Sequence, residues 1–291
     1  MHGDGDGWVE CALGHRHWGK HGAAGLLVYT AIDNEAQVLL QHRAPWCHHG
    51  DTWGIPGGAR DSHESTAEAA LREAAEEGGI DPRAVSLHRE SVDDHGGWTY
   101  TTVIAHSQQP FETTGNDETV ELRWQALSAT DQLTLHPGFG QTWPTLRAQA
   151  RSLLIDTANV LGATANGWWR DREGFTTSLL GRWQGLATQV VAGPAPDTDV
   201  ASTRDIVVTS VTAVLEGKAR GATAPEDIHI LRAGASGDDT VVDAVARHPE
   251  RAWLVVTADR GLRQRLLNPA VQGGTAVEVA SPRWLLGLAD R

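Results

Sequence analysis

The chain is poor in cysteine, in positive charge and in long apolar runs, and each shortage removes a class of protein. Only Cys11 and Cys47 occur in 291 residues, and they do not form a Cys-x-x-Cys arrangement. Neither a disulfide framework nor a zinc knuckle follows from them, and a reducing, cytoplasmic setting fits best. Lys and Arg total 24 against 37 Asp and Glu, a formal net charge of -13. That balance argues against a general nucleic-acid or anionic-membrane binder, which draws on clustered cations. The richest apolar run, Ala24 to Ile32, is far too short for a membrane span. Met1 to Trp8 is Gly/Asp-rich and lacks a basic region followed by an apolar one, so no signal peptide and no membrane partner are expected. The length suits two ordinary domains, each able to bury a core.

What the chain has instead is a concentrated acidic stretch, Gly57 to Ile80, GGARDSHESTAEAALREAAEEGGI. Spacings of three and four place Glu73, Glu76 and Glu77 on one face of a helix. Two such charges about 5 Å apart repel by roughly 3 kcal/mol at an effective dielectric of 20. A hard divalent cation relieves that repulsion. Ser65 followed by Glu68 reads as a capping box, Ala67, Ala70, Leu71, Ala74 and Ala75 as a small apolar face, and Gly78-Gly79 as the stop. Ahead of the helix, Trp53 to Gly58 reads as a short strand entering a glycine turn, where backbone can lie close to a metal-bound phosphate.

Gly58, Glu64, Arg72, Glu73, Ala74, Glu76, Glu77, Gly79 and Ile80 stand at the fixed positions of the Nudix box, so residues 1–150 resemble the Nudix hydrolase family. Ala74 departs from the pattern, which usually has a larger aliphatic residue there. The resemblance implies an α/β/α sandwich with a mixed sheet and hydrolysis of a nucleoside diphosphate linked to another moiety. It further implies that Glu73, Glu76 and Glu77 hold Mg2+ or Mn2+, that Glu64 assists at the metal, and that Arg72 orients a carboxylate. Gly57 and Gly58 would let the chain lie near the phosphates. The family leaves the general base open, and Glu118 and Glu121 are the candidates. Trp18 and Trp98 are candidates for stacking on the base and Arg43 for meeting a phosphate, while Trp53 suits the core better. His48-His49 and Cys47 read as a solvated loop rather than a zinc site, because adjacent side chains diverge.

Around the box, Gly22–Thr30 and Gln37–His42 read as a hairpin turning at Asp33-Asn34. Ala84–Glu90, Thr99–His106 and Thr119–Ala126 read as further strands, with a closing helix near Trp143–Ala150.

Near Arg151 the pattern restarts, so a second unit, 151–291, is expected. Ser152–Ile155, Asp205–Val214, Ile228–Leu231 and Trp253–Thr257 read as strands, and helices are expected near Thr176–Val191, Asp239–Arg247 and Gly261–Leu267. Such alternation predicts an α/β domain with a central parallel sheet flanked by helices. Gly193-Pro194-Ala195-Pro196 has a linker's composition but belongs inside this unit, since a cut there would part Asp156 from the strands it needs. Ligands of open α/β sheets meet the carboxyl ends of the strands. Asp156 and Asp259 stand at such ends, and Asp238 and Asp239 open a helix between them.

These segments, Asp156-x-x-Asn159, Asp238-Asp239-x-Val241 and Val255 to Arg260, resemble the NYN branch of the PIN-like nucleases. The resemblance implies a metal-dependent single-stranded RNA endonuclease, with metal on Asp156, Asp238 or Asp239 or both, and Asp259, and with Asn159 orienting a ligand or phosphate. The same aspartates also suit helix caps. Arg247, Arg251, Arg260, Arg263 and Arg265 read either as RNA-backbone contacts or as solvated helix charges, and Trp168-Trp169 either as a base platform or as loop packing. The leading expectation is a pyrophosphohydrolase fused to a ribonuclease. The alternative is a nucleotide-sensing regulator without turnover, and a homodimer fits either.

Overall fold

Asp33 and Asn34 both take positive φ, 50° and 65°, which a two-residue hairpin turn requires of its central pair. In the computed structural model, which describes residues 3–164, 167–194, 201–268 and 274–289, that turn joins two long strands of the first of two compact units, Met1–Arg147 and Ala148–Arg291. No helix among the described residues is long and apolar enough to cross a membrane.

The first unit runs β1 (Trp8–Glu10), β2 (Arg16–Trp18), β3 (Ala23–Ile32), β4 (Glu35–Arg43), β5 (Trp53–Gly54), β6 (Gly57–Ala59), α1 (Thr66–Gly78), β7 (Ser86–Asp94), β8 (Thr99–His106), β9 (Thr119–Ala126) and α2 (Pro137–Leu146). Strands β1 and β2 form a separate two-stranded sheet. The main sheet has the order β5-β4-β3-β8-β7, with β6 also on β3 and β9 also on β4. It is mixed, because β3 and β8 run parallel while the other pairs are antiparallel.

Helix α1 packs Ala69, Ala70 and Ala74 into one apolar cluster with Leu26, Val28, Leu39 and Val103. The face is rotated slightly from the expected one, with Ala69 fully buried and Ala67 and Ala75 only partly so. Both halves of the capping box form: Ser65 Oγ accepts from Glu68 N, and Glu68 Oε2 accepts from Ser65 N at 2.8 Å. Gly79, at φ 63°, turns its N–H back to the Ala75 carbonyl, a left-handed position that a side chain would strain.

Two expected boundaries differ. Pro82 and the Asp81 carboxylate hold Pro82–Ala84 in a 3-10 turn, so the strand expected from Ala84 starts at Ser86 and continues to Asp94. The closing helix starts at Pro137, whose ring pre-sets the first turn, and ends at Leu146, whereas Gln149 and Ala150 open the next unit's first strand.

The second unit runs β10 (Gln149–Asp156), α3 (Thr157–Gly162), α4 (Arg172–Gly181), β11 (Val190–Pro194), β12 (Ala201–Leu215), β13 (Ile228–Arg232), α5 (Gly237–Arg247), β14 (Trp253–Val256), α6 (Arg260–Leu266), β15 (Val277–Ala280) and α7 (Pro282–Leu288). Its sheet has the order β11-β12-β10-β14-β15, with β13 also on β12, and is parallel apart from β11. The period-two alternation of β10 feeds two cores, with Leu153 and Ile155 in one cluster and Leu154 in the other. The helix expected over Thr176–Val191 stops at Gly181. Positive φ at Gly185 (74°) and Thr188 (76°) turns the chain, and Val190 onward is strand. Gly193 and Pro194 of the linker-like segment lie in β11, while Ala195-Pro196 falls outside the described residues.

Candidate active site

The box residues meet where β6 passes α1. A Cβ on Gly58 would stand 2.6 Å from Glu73 Oε1, so the carboxylate approaches this strand only because residue 58 has no side chain. One residue earlier, Gly57 N donates to Glu77 Oε2 at 2.9 Å. Glu77 is only 6% exposed, and burial, aided by repulsion from Glu73 and Glu118, pushes its carboxyl up to about 7.

Arg72 is the hub of the cluster. Its Nε and Nη2 bond the two oxygens of Glu64 at 2.6 and 2.9 Å, Nη1 bonds Glu73 Oε1 at 2.8 Å, and Nη2 also reaches the Ala59 carbonyl at 2.9 Å. That fork holds the Glu64 carboxyl below its ordinary value. Glu73 is nevertheless raised, because desolvation outweighs the guanidinium. Glu76 is exposed and lies 3.5 Å from Arg72 Nη1.

Among the described residues, the sets of His, Cys, Asp or Glu whose donor atoms lie within 4.8 Å of one another are Cys11 with His15, His17 and His95; His48 with His49 and His136; and Asp4 with Asp61 and His63. The glutamates of α1 do not form such a set, since Glu73 is held by Arg72, Glu77 by Gly57, and Glu76 is exposed. As donors they are hard carboxylate oxygens, and the repulsion from Glu73 and Glu118 that adds to burial in lifting Glu77 is the kind that Mg2+ or Mn2+ would relieve, so the residues fit such an ion.

A cavity of about 230 Å³ opens beside Gly57. Arg43 and Trp98, both expected near the substrate, line it, together with Tyr100, His136 and Phe139, which were not expected there. Trp98 is a wall rather than a free stacking platform, because His17 already lies flat on its ring at 3.9 Å and its N–H is spent on the Gly19 carbonyl. Trp18 does not line the cavity. It packs edge-on against Trp8 and is 44% exposed. Trp53 is core, sandwiched between His42 at 4.6 Å and the Arg123 guanidinium at 4.2 Å. Burial, with Arg43 and His49 nearby, pushes His136 down to about 4, so a neutral imidazole faces the cavity. Of the candidate bases, Glu118 is near enough to raise Glu77, whereas Glu121 is paired with Arg123 at 3.5 Å. No sequence pattern marks Tyr100, His136 or Phe139, because they come from β8, from the residue that precedes α2 and from α2 itself, all outside the box.

In the second unit β10 and β14 are direct neighbours, so Asp156 and Asp259 stand at adjoining strand ends. Asp156 accepts from Thr257 Oγ1 at 2.8 Å and from Asn159 N at 3.1 Å, and burial raises its carboxyl, with Asp238 and Glu216 adding repulsion. Asp238 is raised by burial and by Asp259. Glu216, absent from the expected set, accepts from Gly237 N at 2.8 Å. Other members carry structural bonds: Asp259 caps α6 through Leu262 N, Asn159 Oδ1 accepts from Ala258 N, and Asp239 pairs with Arg265 at 2.7 Å. Arg247 is likewise drawn to Asp243 at 3.4 Å. Trp168 packs against the core under Arg172, while Trp169 is 61% exposed.

A family model described as NUDIX domain matches residues 20–145. The chain is 46% identical over 154 residues to the Mycobacterium tuberculosis protein named "Putative 8-oxo-dGTP diphosphatase 3", spanning 50% of this chain and 71% of that one. It is 38% identical over 161 residues to the Bifidobacterium longum "Nucleoside triphosphate pyrophosphatase/Nudix hydrolase fusion protein", covering 53% of this chain and 33% of that one. Among solved structures, the M. smegmatis Nudix hydrolase RenU is 47% identical, with a TM-score of 0.48 over 49% of this chain and 93% of that one.

Proposed function

The chain belongs to the Nudix family, and from that premise we propose that its first unit hydrolyses a phosphoanhydride bond in a nucleoside diphosphate derivative, with an oxidised deoxynucleoside triphosphate as the first candidate substrate. The observation that carries this reading is the Arg72 fork on Glu64 and Glu73 together with the buried Glu77, which is bonded to Gly57, a residue that lines the same cavity as Arg43. Glu73, Glu76 and Glu77 would hold Mg2+ or Mn2+, which when bound neutralises phosphate oxygens and polarises the phosphorus for attack by water. Arg72 fixes the Glu64 and Glu73 carboxylates, so that little reorganisation accompanies substrate binding. Arg43 meets a phosphate at the cavity edge, and the neutral His136 and the Tyr100 hydroxyl provide polar contacts for the rest of the nucleotide. Glu118 is the nearer of the two candidate bases. The relatives' names support the substrate class. A cytoplasmic setting completes the reading.

A panel of 8-oxo-dGTP, canonical nucleoside triphosphates and nucleoside diphosphate conjugates, assayed with Mg2+ and with Mn2+, tests it. Cleavage of at least one member, abolished by chelation and lowered in Glu76→Gln, is expected. Binding without turnover would favour the regulatory reading instead.

For the second unit we propose a PIN-like, metal-dependent single-stranded ribonuclease. Its support is the placement of Asp156 and Asp259 at the carboxyl ends of neighbouring parallel strands, with Asp238 of α5 close enough to interact with each of them and Glu216 beside it. Oxygen donors of this kind suit Mg2+ or Mn2+. Labelled single-stranded RNA with Mn2+ should be cut by the wild-type chain and spared by Asp156→Asn. RNA left intact by both, or cut equally by both, rejects the assignment.

A further inference from the structure

Cys11, His15 and His17 follow one another as Cys-x-x-x-His-x-His around the turn between β1 and β2. Local bonds shape that turn: Cys11 N donates to the His15 carbonyl at 3.0 Å, and Gly14 N donates back to the Cys11 carbonyl at 2.9 Å. His95 arrives from the turn between β7 and β8. The two turns are tied by Ala12 N, which donates to the Gly96 carbonyl at 2.8 Å. As a result one thiol and two imidazoles of the hairpin and a third imidazole distant in sequence bring their donor atoms within 4.8 Å of one another, with the His17 and His95 rings 4.7 Å apart.

The details of the cluster favour a cation at its centre. His17 Nε2 and His95 Nδ1 are buried and accept or donate no hydrogen bond, a state in which polar atoms are seldom left. His95 uses its other nitrogen, Nε2, on Asp93 Oδ2 at 3.1 Å. That bond places the proton on Nε2 and leaves the Nδ1 lone pair free to bind, as in the carboxylate-imidazole pairs that orient metal ligands. Cys11 is 6% exposed, packed with Ala23 and Trp98, so its sulfur is shielded.

The other two clusters lack these features. In the Asp4–Asp61–His63 set the carboxylates are engaged, Asp4 by Ser62 and Asp61 by Gly5 N. In the His48–His49–His136 set two of the three residues are exposed, and no thiol is present.

We propose that Cys11, His15, His17 and His95 form a closed, tetrahedral Zn2+ site that clamps the β1–β2 hairpin onto the β7–β8 turn. One sulfur and three nitrogens make a donor set suited to zinc, in contrast to the carboxylate oxygens of α1, and four protein ligands leave no open position for chemistry. On binding, the Cys11 thiol releases its proton and becomes thiolate, the imidazoles bind as neutral ligands, and no other bond changes. The role is architectural. His17 lies on Trp98, and both residues line the cavity, so the ion fixes one wall of the pocket that the proposed hydrolase reading fills with nucleotide.

The test is made on the full chain and needs no substrate, so it is separate from the hydrolase reading. The protein is expressed with added zinc, purified without chelator or metal-affinity resin, and its metal content measured. About one zinc per chain is expected in the wild type, falling below about a tenth in Cys11→Ser. Because His15 is exposed, His15→Ala should fold normally and still weaken zinc by at least about tenfold, which competition with a chromogenic chelator reads directly. Replacement by Co2+ should give a sulfur-to-metal charge-transfer band and strong tetrahedral d–d bands, both lost in Cys11→Ser. Cys47→Ser should keep the ion and the spectrum. Zinc-free wild type, zinc retained in full by Cys11→Ser and His15→Ala, or zinc lost in Glu77→Gln with those two unaffected, each overturns the proposal.

Discussion

Glu77→Gln is expected to lower kcat/KM on the nucleotide substrate by about 10²–10³-fold while making the metal-free protein more stable at pH 8, an opposition that few substitutions produce. The wild-type carboxyl is raised from 4.5 to about 7, chiefly by burial. Its folded form therefore binds the proton more tightly than the unfolded chain does. The stabilisation from the protonated group is fully present below about pH 4.5 and is lost as pH rises through about 7. At pH 8 the ionised Glu77 costs on the order of 3 kcal/mol relative to its protonated form. Glutamine keeps the acceptor for Gly57 N and removes the charge, so melting of the first unit should weaken from pH 5 to 8 in the wild type and stay nearly level in the variant. Mg2+ or Mn2+ should raise the wild-type melting temperature more at pH 8 than at pH 5, and the variant's less. Identical pH profiles for the two proteins would remove Glu77 from the metal site.

Arg72→Ala should markedly destabilise the first unit. Glu64 and Glu73 have side chains only 10% and 15% exposed, and both depend on this guanidinium. Stripping the cation from a buried pair costs about 3–5 kcal/mol, and the 30% exposure of Arg72 brings the expected loss to about 2–3 kcal/mol. Arg72→Lys should recover only part of it. One ammonium cannot bond two Glu64 oxygens, Glu73 and the Ala59 carbonyl from a single planar fork. Urea midpoints would show the order wild type, Lys, Ala. An unchanged midpoint in Arg72→Ala would mean that the network contributes nothing to stability.

The legible features were the local ones. Helix α1, its cap at Ser65, its stop at Gly79 and the hairpin turn at Asp33-Asn34 follow from residues within four positions of one another, where backbone geometry alone sets which side chains meet. Trp98 shows the limit of such reading. As an aromatic near the site it suggested base stacking, but His17, from a three-residue strand too short to carry a pattern, covers its face. The packing of Trp18 against Trp8 is set by the same short hairpin and is equally hidden from the sequence.

By itself the sequence determined the family, the order of most strands, and an acidic helix whose Glu73, Glu76 and Glu77 share a face, because helical and strand periods act over a few residues. Only the tertiary structure decided that Arg72 clamps Glu64, that Gly57 meets a buried Glu77, that Tyr100 and His136 line the cavity, and that His95 joins Cys11, His15 and His17. Those meetings are made by sheet pairing and by the docking of turns distant in the chain, and so they depend on how whole strands register against one another.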